Sequence, residues 1–444
     1  MLKDCVIRFG GNSCNKKPFI KHLVSHLNKN RGSNYIVVSS VSNLYRIIEE
    51  QLVHVFRVGV NSNLLCRQLE LIFEEITGEV VSHSYQLLVT RVLQLLEGIS
   101  LTGDYSLALR DQLLSYSEKL TAVIFQELLR QNKVEAQILL PEENDFTVSS
   151  DFGNATHLHF KFDYPGESGK GTTFIIPGSY GITENGRIAR TGASAADYTA
   201  SAMAAWLKVP KLILWGLDND FYSTDPKIVK NPSKIDRLTY AEASELAYFD
   251  HYSIHPRTVE PLEALHVPIH VMSGNAKFGN VETIINSESY ISDTIVKGVA
   301  HSDDISLLKL DGAGVGLKPG ILAKVTTSLN DAGINIRSVI TAQTSINFIL
   351  TEKDGKKALQ LVKGLRFTSV KDISLVLDVS LIGIVGHGLQ QHYGVFARLF
   401  GAIADGKINV LLSGSGASDL VSYLVVRQSD RDKGVKVIHK AFFK

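Results

Sequence analysis

GILAKVTTSLNDAGINI (residues 320–336) returns 74 positions later as GVFARLFGAIADGKINV (394–410). In that frame Gly320/Gly394, Ala323/Ala397, Asp331/Asp405, Ile334/Ile408 and Asn335/Asn409 are identical, and Lys324/Arg398, Val325/Leu399 and Ile336/Val410 are conservative pairs. Self-similarity at one fixed offset marks two copies of one supersecondary unit. Each copy follows a strand-like run, ISLLKLDG (305–312) or VSLIGIVG (379–386), and precedes two more: INIRSVITA with SINFILTE, and INVLLSGSG with LVSYLVVRQ. A second helical pattern closes each copy. The order predicts βαββαβ, a small ferredoxin-like unit.

Upstream, the rhythm changes. CVIRF (5–9) predicts a buried strand, Gly10-Gly11-Asn12-Ser13 a turn, and Phe19, Ile20, Leu23 and Leu27 a helix face. YIVVSSVS (35–42) is a second strand, and from about residue 44 to 129 apolar residues recur at helical spacing, as in LLCRQLELIFEEI and SEKLTAVIFQELL. EAQILL, TTFIIPGSYG, KLILWGLD, PIHVMSG and VETIIN then alternate as strands with helices over 197–208 and 241–248. Alternation of this kind predicts an α/β sandwich around a mostly parallel sheet, closing near residue 290.

Composition narrows the class. At 444 residues, 44% hydrophobic and 20% charged, the chain is an ordinary globular protein of two to four domains. Its 46 basic and 45 acidic residues cancel to +1, so the overall positive charge of a nucleic-acid binder is missing. Cys5, Cys14 and Cys66 form neither a disulfide framework nor a metal-ligand spacing. No run reaches 18 apolar residues, and MLKDCVIRFGG lacks the pattern of a signal peptide. The expectation is a cytoplasmic protein with no nucleic-acid or membrane partner.

A glycine pair between a strand and a helix offers backbone N–H groups and a helix dipole to an anion, with Arg8 just upstream to meet a phosphate. Glycine's backbone freedom explains such a turn equally well. His22 and His26 are four apart without the glutamate of a zinc helix, so they read as surface residues, and His157 and His159 alternate as on a strand. Cys14 follows the glycine turn as either a reactive or a buried thiol.

FGGNS (9–13), LLSYSEKLTA (113–122), ENGRIARTGASAADYTASAMAAWL (184–207), LWGLDNDFYSTDPKIV (214–229), YAEASELAYF (240–249) and IHPRTVEPL (254–262) occur in the order found in aspartate kinases. The chain resembles that family throughout, and its C-terminal repeat is similar to the family's paired ACT domains. The resemblance implies an amino-acid-kinase domain over 1–295 and ACT domains over 300–375 and 376–444. It implies ATP- and Mg²⁺-dependent phosphorylation of the aspartate side-chain carboxylate, the first step toward lysine, threonine and methionine. By position it implies Arg8 and Asp197 at the transfer centre, with Gly10, Gly11, Ser13, Tyr222, Asp225 and Lys227 toward ATP. Glu118 would receive the substrate amino group. His255-Pro256 shapes a turn. An amino-acid effector would meet Lys318, Gly320 and Arg337, and the ACT units would form a homodimer.

The chain departs from the family at the chemistry. Arg8 replaces a lysine, Asn12 a threonine, Lys227 an arginine, and Tyr252 a lysine; Leu217 stands at an acid. The arginine that clamps the substrate carboxylate and the serine beside the transfer-centre aspartate are Ala193 and Ala196, which leaves Arg190 or Arg187 to take over, with Arg190 the expected substitute. Arg337 stands where an acid would greet a lysine effector, which favours an acidic or neutral effector or none. Three readings of activity follow: an aspartate kinase, a kinase for a related amino acid, or a catalytically impaired relative acting as a regulatory or scaffolding subunit.

Overall fold

The structure, a computed structural model, describes residues 4–30, 32–161, 171–193, 195–217, 221–249, 254–273, 280–288, 295–416 and 418–443. The chain separates into two compact units: Met1–Asp220, Asp236–Ser244 and Ser253–Glu288 form the first, and Phe221–Ile235, Glu245–Tyr252 and Ser289–Lys444 the second. Among the described residues no helix is long and apolar enough to cross a membrane.

The first unit is built on an eight-stranded sheet whose order is Arg237–Thr239, Thr283–Asn286, Ile269–Ser273, Leu212–Leu217, Cys5–Phe9, Asn34–Val38, Thr173–Pro177, Ala136–Ile138. Every neighbouring pair is parallel except Ile269–Ser273 with Thr283–Asn286. Strands Cys5–Phe9 and Asn34–Val38 carry VIRF and NYIVV in wholly buried positions, the near-continuous apolar run of a parallel strand covered on both faces.

On one face lie four helices, Ser42–Val58, Ser62–Thr77, His83–Thr102 and Leu107–Gln131. The continuous helical periodicity is cut into pieces by local chemistry. Asn61, Ser82 and Ser106 cap the last three through side-chain oxygens that accept from Leu64, Tyr85 and Leu109 N–H. Gly78 and Gly103 end two of them in the left-handed conformation, at φ 72° and 71°. Helix Leu107–Gln131 is buried on nearly all sides from Leu113 to Phe125, between its sister helices and the sheet. Helix Ala196–Trp206 packs against Cys5–Phe9 and Asn34–Val38. It is buried all round from Ala196 to Ala204, which its alanines and small polar residues permit.

The second unit holds the repeat. Its first copy forms the antiparallel sheet Ile336–Ala342, Ser345–Leu350, Ser306–Asp311, Asp372–Val376 with helices Ile321–Asp331 and Glu352–Gly364, as βαββαβ requires. The second copy has strands Val379–Val385, Leu412–Gly414 and Val421–Arg427 with helices Val395–Asp405 and Arg431–Phe442. Its remaining strand is Gly298–Ser302, from upstream of the first copy. Val379–Val385 is buried at every residue, so both its edges need hydrogen-bond partners. The second sheet is thus completed by a segment that lies before the first copy's own strands and straddles the expected boundary at residue 300.

The identical glycines of the repeat have a reason. Gly320 and Gly394 each start a helix at φ 89° and 87°, a conformation that disfavours other residues. The pairs Ile321/Val395, Val325/Leu399, Leu329/Ile403 and Ile334/Ile408 are buried in the two corresponding cores.

Candidate active site

Parallel register decides where the site lies. Phe9 pairs with both Val38 and Trp215, and Val38 with Pro177, so three strands end at one level, where Leu212–Leu217 passes beside them at Trp215. The residues that follow, Gly10 and Gly11, Ser39 and Ser40, Ser179 and Gly216, line one cavity of about 220 Å³ together with Arg8, Asn12, Tyr45, Glu118, Arg190 and Ala193. The carboxyl ends of parallel strands are the usual ligand side of an open α/β sheet.

The glycines do two different things here. A Cβ on Gly10 would sit 2.4 Å from Gly216 O, and one on Gly11 2.3 Å from Ser39 O, so only glycine lets the three strand ends converge. Their N–H groups, however, are engaged within the protein: Gly10 N–H donates to Trp215 O at 3.3 Å and Gly11 N–H to Ser39 Oγ at 2.9 Å. Ser13 Oγ donates to Gly216 O at 3.2 Å. A short 3-10 turn, Gly11–Asn15, separates this loop from helix Lys17–Leu27.

Two buried ion pairs stand at the cavity. Arg8 Nε lies 2.6 Å from Asp197 Oδ1. Asp197 sits in the first turn of helix Ala196–Trp206, where a carboxylate complements the dipole, and its Oδ2 accepts from His255 N–H at 3.1 Å. His255 Nδ1 accepts from Arg257 N–H at 3.3 Å, which leaves the proton on Nε2, and burial pushes the imidazole below its ordinary range. The second pair is bidentate. Arg190 Nη2 donates to Glu118 Oε1 at 3.0 Å and Nη1 to Oε2 at 3.3 Å, with Ser117 Oγ on Oε2 at 2.8 Å. Glu118 is 2% exposed and Arg190 3%. Burial pushes the Glu118 carboxyl up, opposed by Arg190.

Asp111 completes this arrangement and is invisible to motif reading. Its Oδ2 accepts from Arg190 N–H at 2.8 Å and Gly153 N–H at 2.6 Å, and burial raises its pKa. The signal was available, since Asp111 and Glu118 are two helical turns apart and so share one face of the helix. Tyr45, 5.1 Å from the Arg190 guanidinium, was also missed.

Arg8, Gly10, Gly11, Glu118 and Arg190 thus meet at one cavity, with Asp197 joined through Arg8 and Ser13 through Gly216. Cys14 is buried, and burial pushes its thiol up to about 12. Tyr222, Asp225 and Lys227 belong to the second unit. There Asp225 Oδ1 accepts from Lys227 N–H at 2.8 Å and its Oδ2 lies 3.2 Å from His301 Nε2. Lys318 and Gly320 are exposed, while Arg337 is paired with Asp304 at 3.0 Å and lies over the Tyr248 ring. Ser194, residues 218–220 and Tyr252 lie outside the described residues, as does the Leu217 side chain.

A profile of the amino acid kinase family matches residues 3–273, and one of the ACT domain matches 308–364 and 382–442. An aspartokinase of Corynebacterium efficiens is 30% identical over 350 residues, 75% of this chain and 80% of that protein. The chain belongs to the aspartokinase family. Bifunctional aspartokinase/homoserine dehydrogenase of Haemophilus influenzae is 27% identical over 281 residues, 62% of this chain; the match spans 34% of the length of that relative. Among solved structures, E. coli aspartokinase III in complex with aspartate and ADP (R-state) superposes with a TM-score of 0.83 at 22% identity over the whole of both chains. The aspartokinase fold is thus shared end to end, and the family is one of phosphotransferases.

Proposed function

We propose that the chain transfers a phosphoryl group from ATP to the side-chain carboxylate of aspartate, giving an acyl phosphate. The observation that supports this most directly is the pairing of a transfer-side couple, Arg8 with Asp197, and a substrate-side couple, Glu118 with Arg190, at one cavity. A carboxylate acceptor is already ionised at neutral pH and the ADP leaving group needs no proton, so the centre requires cations and alignment, not a general base. Arg8 suits that role, and Asp197 holds its guanidinium in place.

On the substrate side, Glu118 and Arg190 present opposite charges next to each other, a receptor for the ammonium and α-carboxylate of an amino acid. Arg190 retains N–H groups beyond the two given to Glu118, and it stands in for the clamp that Ala193 lacks. ATP and Mg²⁺ suit this residue set, because Arg8, which Asp197 holds, and Ser39, Ser40 and Ser179 line the cavity. Bound ATP supplies the phosphoryl group, and Mg²⁺ neutralises its charge. Tyr222, Asp225 and Lys227 serve the nucleotide side, and the ACT units serve a homodimer and an amino-acid effector.

A second reading, a regulatory or scaffolding relative without turnover, is favoured by the engaged glycine N–H groups and by Ala193 and Ala196. One experiment separates them. Mg·ATP, aspartate and hydroxylamine supplied together yield aspartyl hydroxamate if the chain is a kinase; calorimetric binding of Mg·ATP without hydroxamate from any amino acid leaves the second reading.

A further inference from the structure

Residues 221–235 form a hairpin closed on itself. Ser223 N–H donates to Ser233 O at 2.7 Å, Ile235 N–H to Phe221 O at 2.9 Å, and Tyr222 bridges Lys234. Its anchors include the second ACT sheet, through the strand Gly298–Ser302, and the helix Arg431–Phe442. Val299 N–H donates to Ser223 O at 2.8 Å, and Ser223 Oγ lies 2.9 Å from His439 Nε2. His301 Nε2 lies 3.2 Å from Asp225 Oδ2. Ile228 and Val229 pack onto the core formed by Val296, Val299, Leu399 and Ile438. The strand Gly298–Ser302 and the helix Arg431–Phe442 therefore hold the hairpin from two sides.

The division of labour within the hairpin follows. Both Asp225 oxygens are engaged, one by Lys227 N–H and one by His301, so this carboxylate shapes the turn. Lys227 is exposed and Tyr222 half-buried. A surface hairpin takes its order from its anchors, because it has little core of its own.

We infer that His301 and His439 are positioning residues for the nucleotide: they fix the Tyr222–Lys227 turn from the second ACT sheet and its last helix, so that ATP affinity depends on both imidazoles. This rests on the nucleotide role proposed above for Tyr222 and Lys227. Burial lowers the pKa of His439, which keeps it a neutral partner for the Ser223 hydroxyl.

The test uses the full chain with His301→Leu, His301→Gln and His439→Phe. Gln keeps an N–H donor near the position of Nε2, and Phe keeps the ring stack of His439 on Phe443, 4.6 Å between centroids. Calorimetry with Mg·ATP is expected to show roughly tenfold weaker binding for His301→Leu and His439→Phe, the scale of one lost hydrogen bond to a charged or buried group, and near-parental binding for His301→Gln. Amide exchange is expected to speed up at 221–235 and stay unchanged in Cys5–Phe9, with the KM for aspartate also unchanged. If the parent binds Mg·ATP and all variants bind it equally, or if exchange at 221–235 does not move, the inference is overturned and the kinase reading stands. If the parent binds no Mg·ATP, both fall. Should His301→Leu fail to fold, His301→Gln and His439→Phe carry the comparison.

Discussion

Arg190 and Glu118 occupy each other: two guanidinium nitrogens meet two carboxylate oxygens at 3.0 and 3.3 Å, with both side chains almost wholly withdrawn from water. They come from two separate family stretches, LLSYSEKLTA (113–122) and ENGRIARTGASAADYTASAMAAWL (184–207). Glu118 lies mid-way along a 25-residue helix and Arg190 at the end of a three-residue strand. A pair of this kind contributes little net stability against an apolar replacement, yet removal of one partner strands a buried charge.

Arg190→Met is therefore expected to destabilise the first unit by about 3–5 kcal/mol, while Arg190→Met with Glu118→Gln recovers most of that loss. Urea unfolding of the two variants checks it. Equal instability of single and double variants would show that Glu118 does not depend on Arg190 for its charge.

If Arg190 also holds the substrate carboxylate, Arg190→Lys raises the KM for aspartate roughly ten- to a hundredfold, because the ammonium keeps the charge and loses the planar fork. Ala193 lines the same cavity, so Ala193→Arg in that background is expected to recover part of the loss. Steady-state kinetics on the three chains decides; no recovery would separate the two positions functionally.

Gly11→Ala places a methyl group 2.3 Å from Ser39 O and 2.4 Å from Ser40 O, where backbone must move. The expected cost is about 1–3 kcal/mol in stability together with weaker Mg·ATP binding. Gly59→Ala is not a suitable control, since Gly59 has φ 72°; Gly98→Ala, with open space around its Cβ and a helical backbone, is expected to stabilise by about 0.5–1 kcal/mol and leave binding unchanged.

His157 supplies a pH signature. Its Nδ1 is enclosed without a hydrogen-bond partner and its Nε2 lies 3.1 Å from Thr199 Oγ1. Burial, then the Arg257 charge, pushes its pKa from the ordinary 6.5 down to about 3. Between those values the unfolded chain binds the proton and the folded chain does not, so stability present above pH 6.5 is lost as the pH falls toward 3. His157→Phe is expected to lose less stability than the parent over that range. Parallel acid-unfolding curves would remove His157 as the cause.

The sequence by itself determined the elements and their order. Apolar runs marked the buried strands, helical spacing marked the helical layer, and the repeat beginning at Gly320 and Gly394 marked two copies of one unit, because periodicity and positive-φ glycines are local properties. Family motifs brought Arg8, Gly10, Gly11, Glu118 and Asp197 into view as separate positions. Only the tertiary structure decided who meets whom. Strand register placed Gly10, Ser39 and Gly216 at one level and spent the glycine N–H groups on neighbouring loops. Burial of Val379–Val385 drew Gly298–Ser302 into the second sheet from upstream. Packing also put Asp111 behind Arg190, and His301 behind Asp225. These contacts join residues tens of positions apart, through hydrogen-bond and desolvation energies that exist only once the chain has closed around them.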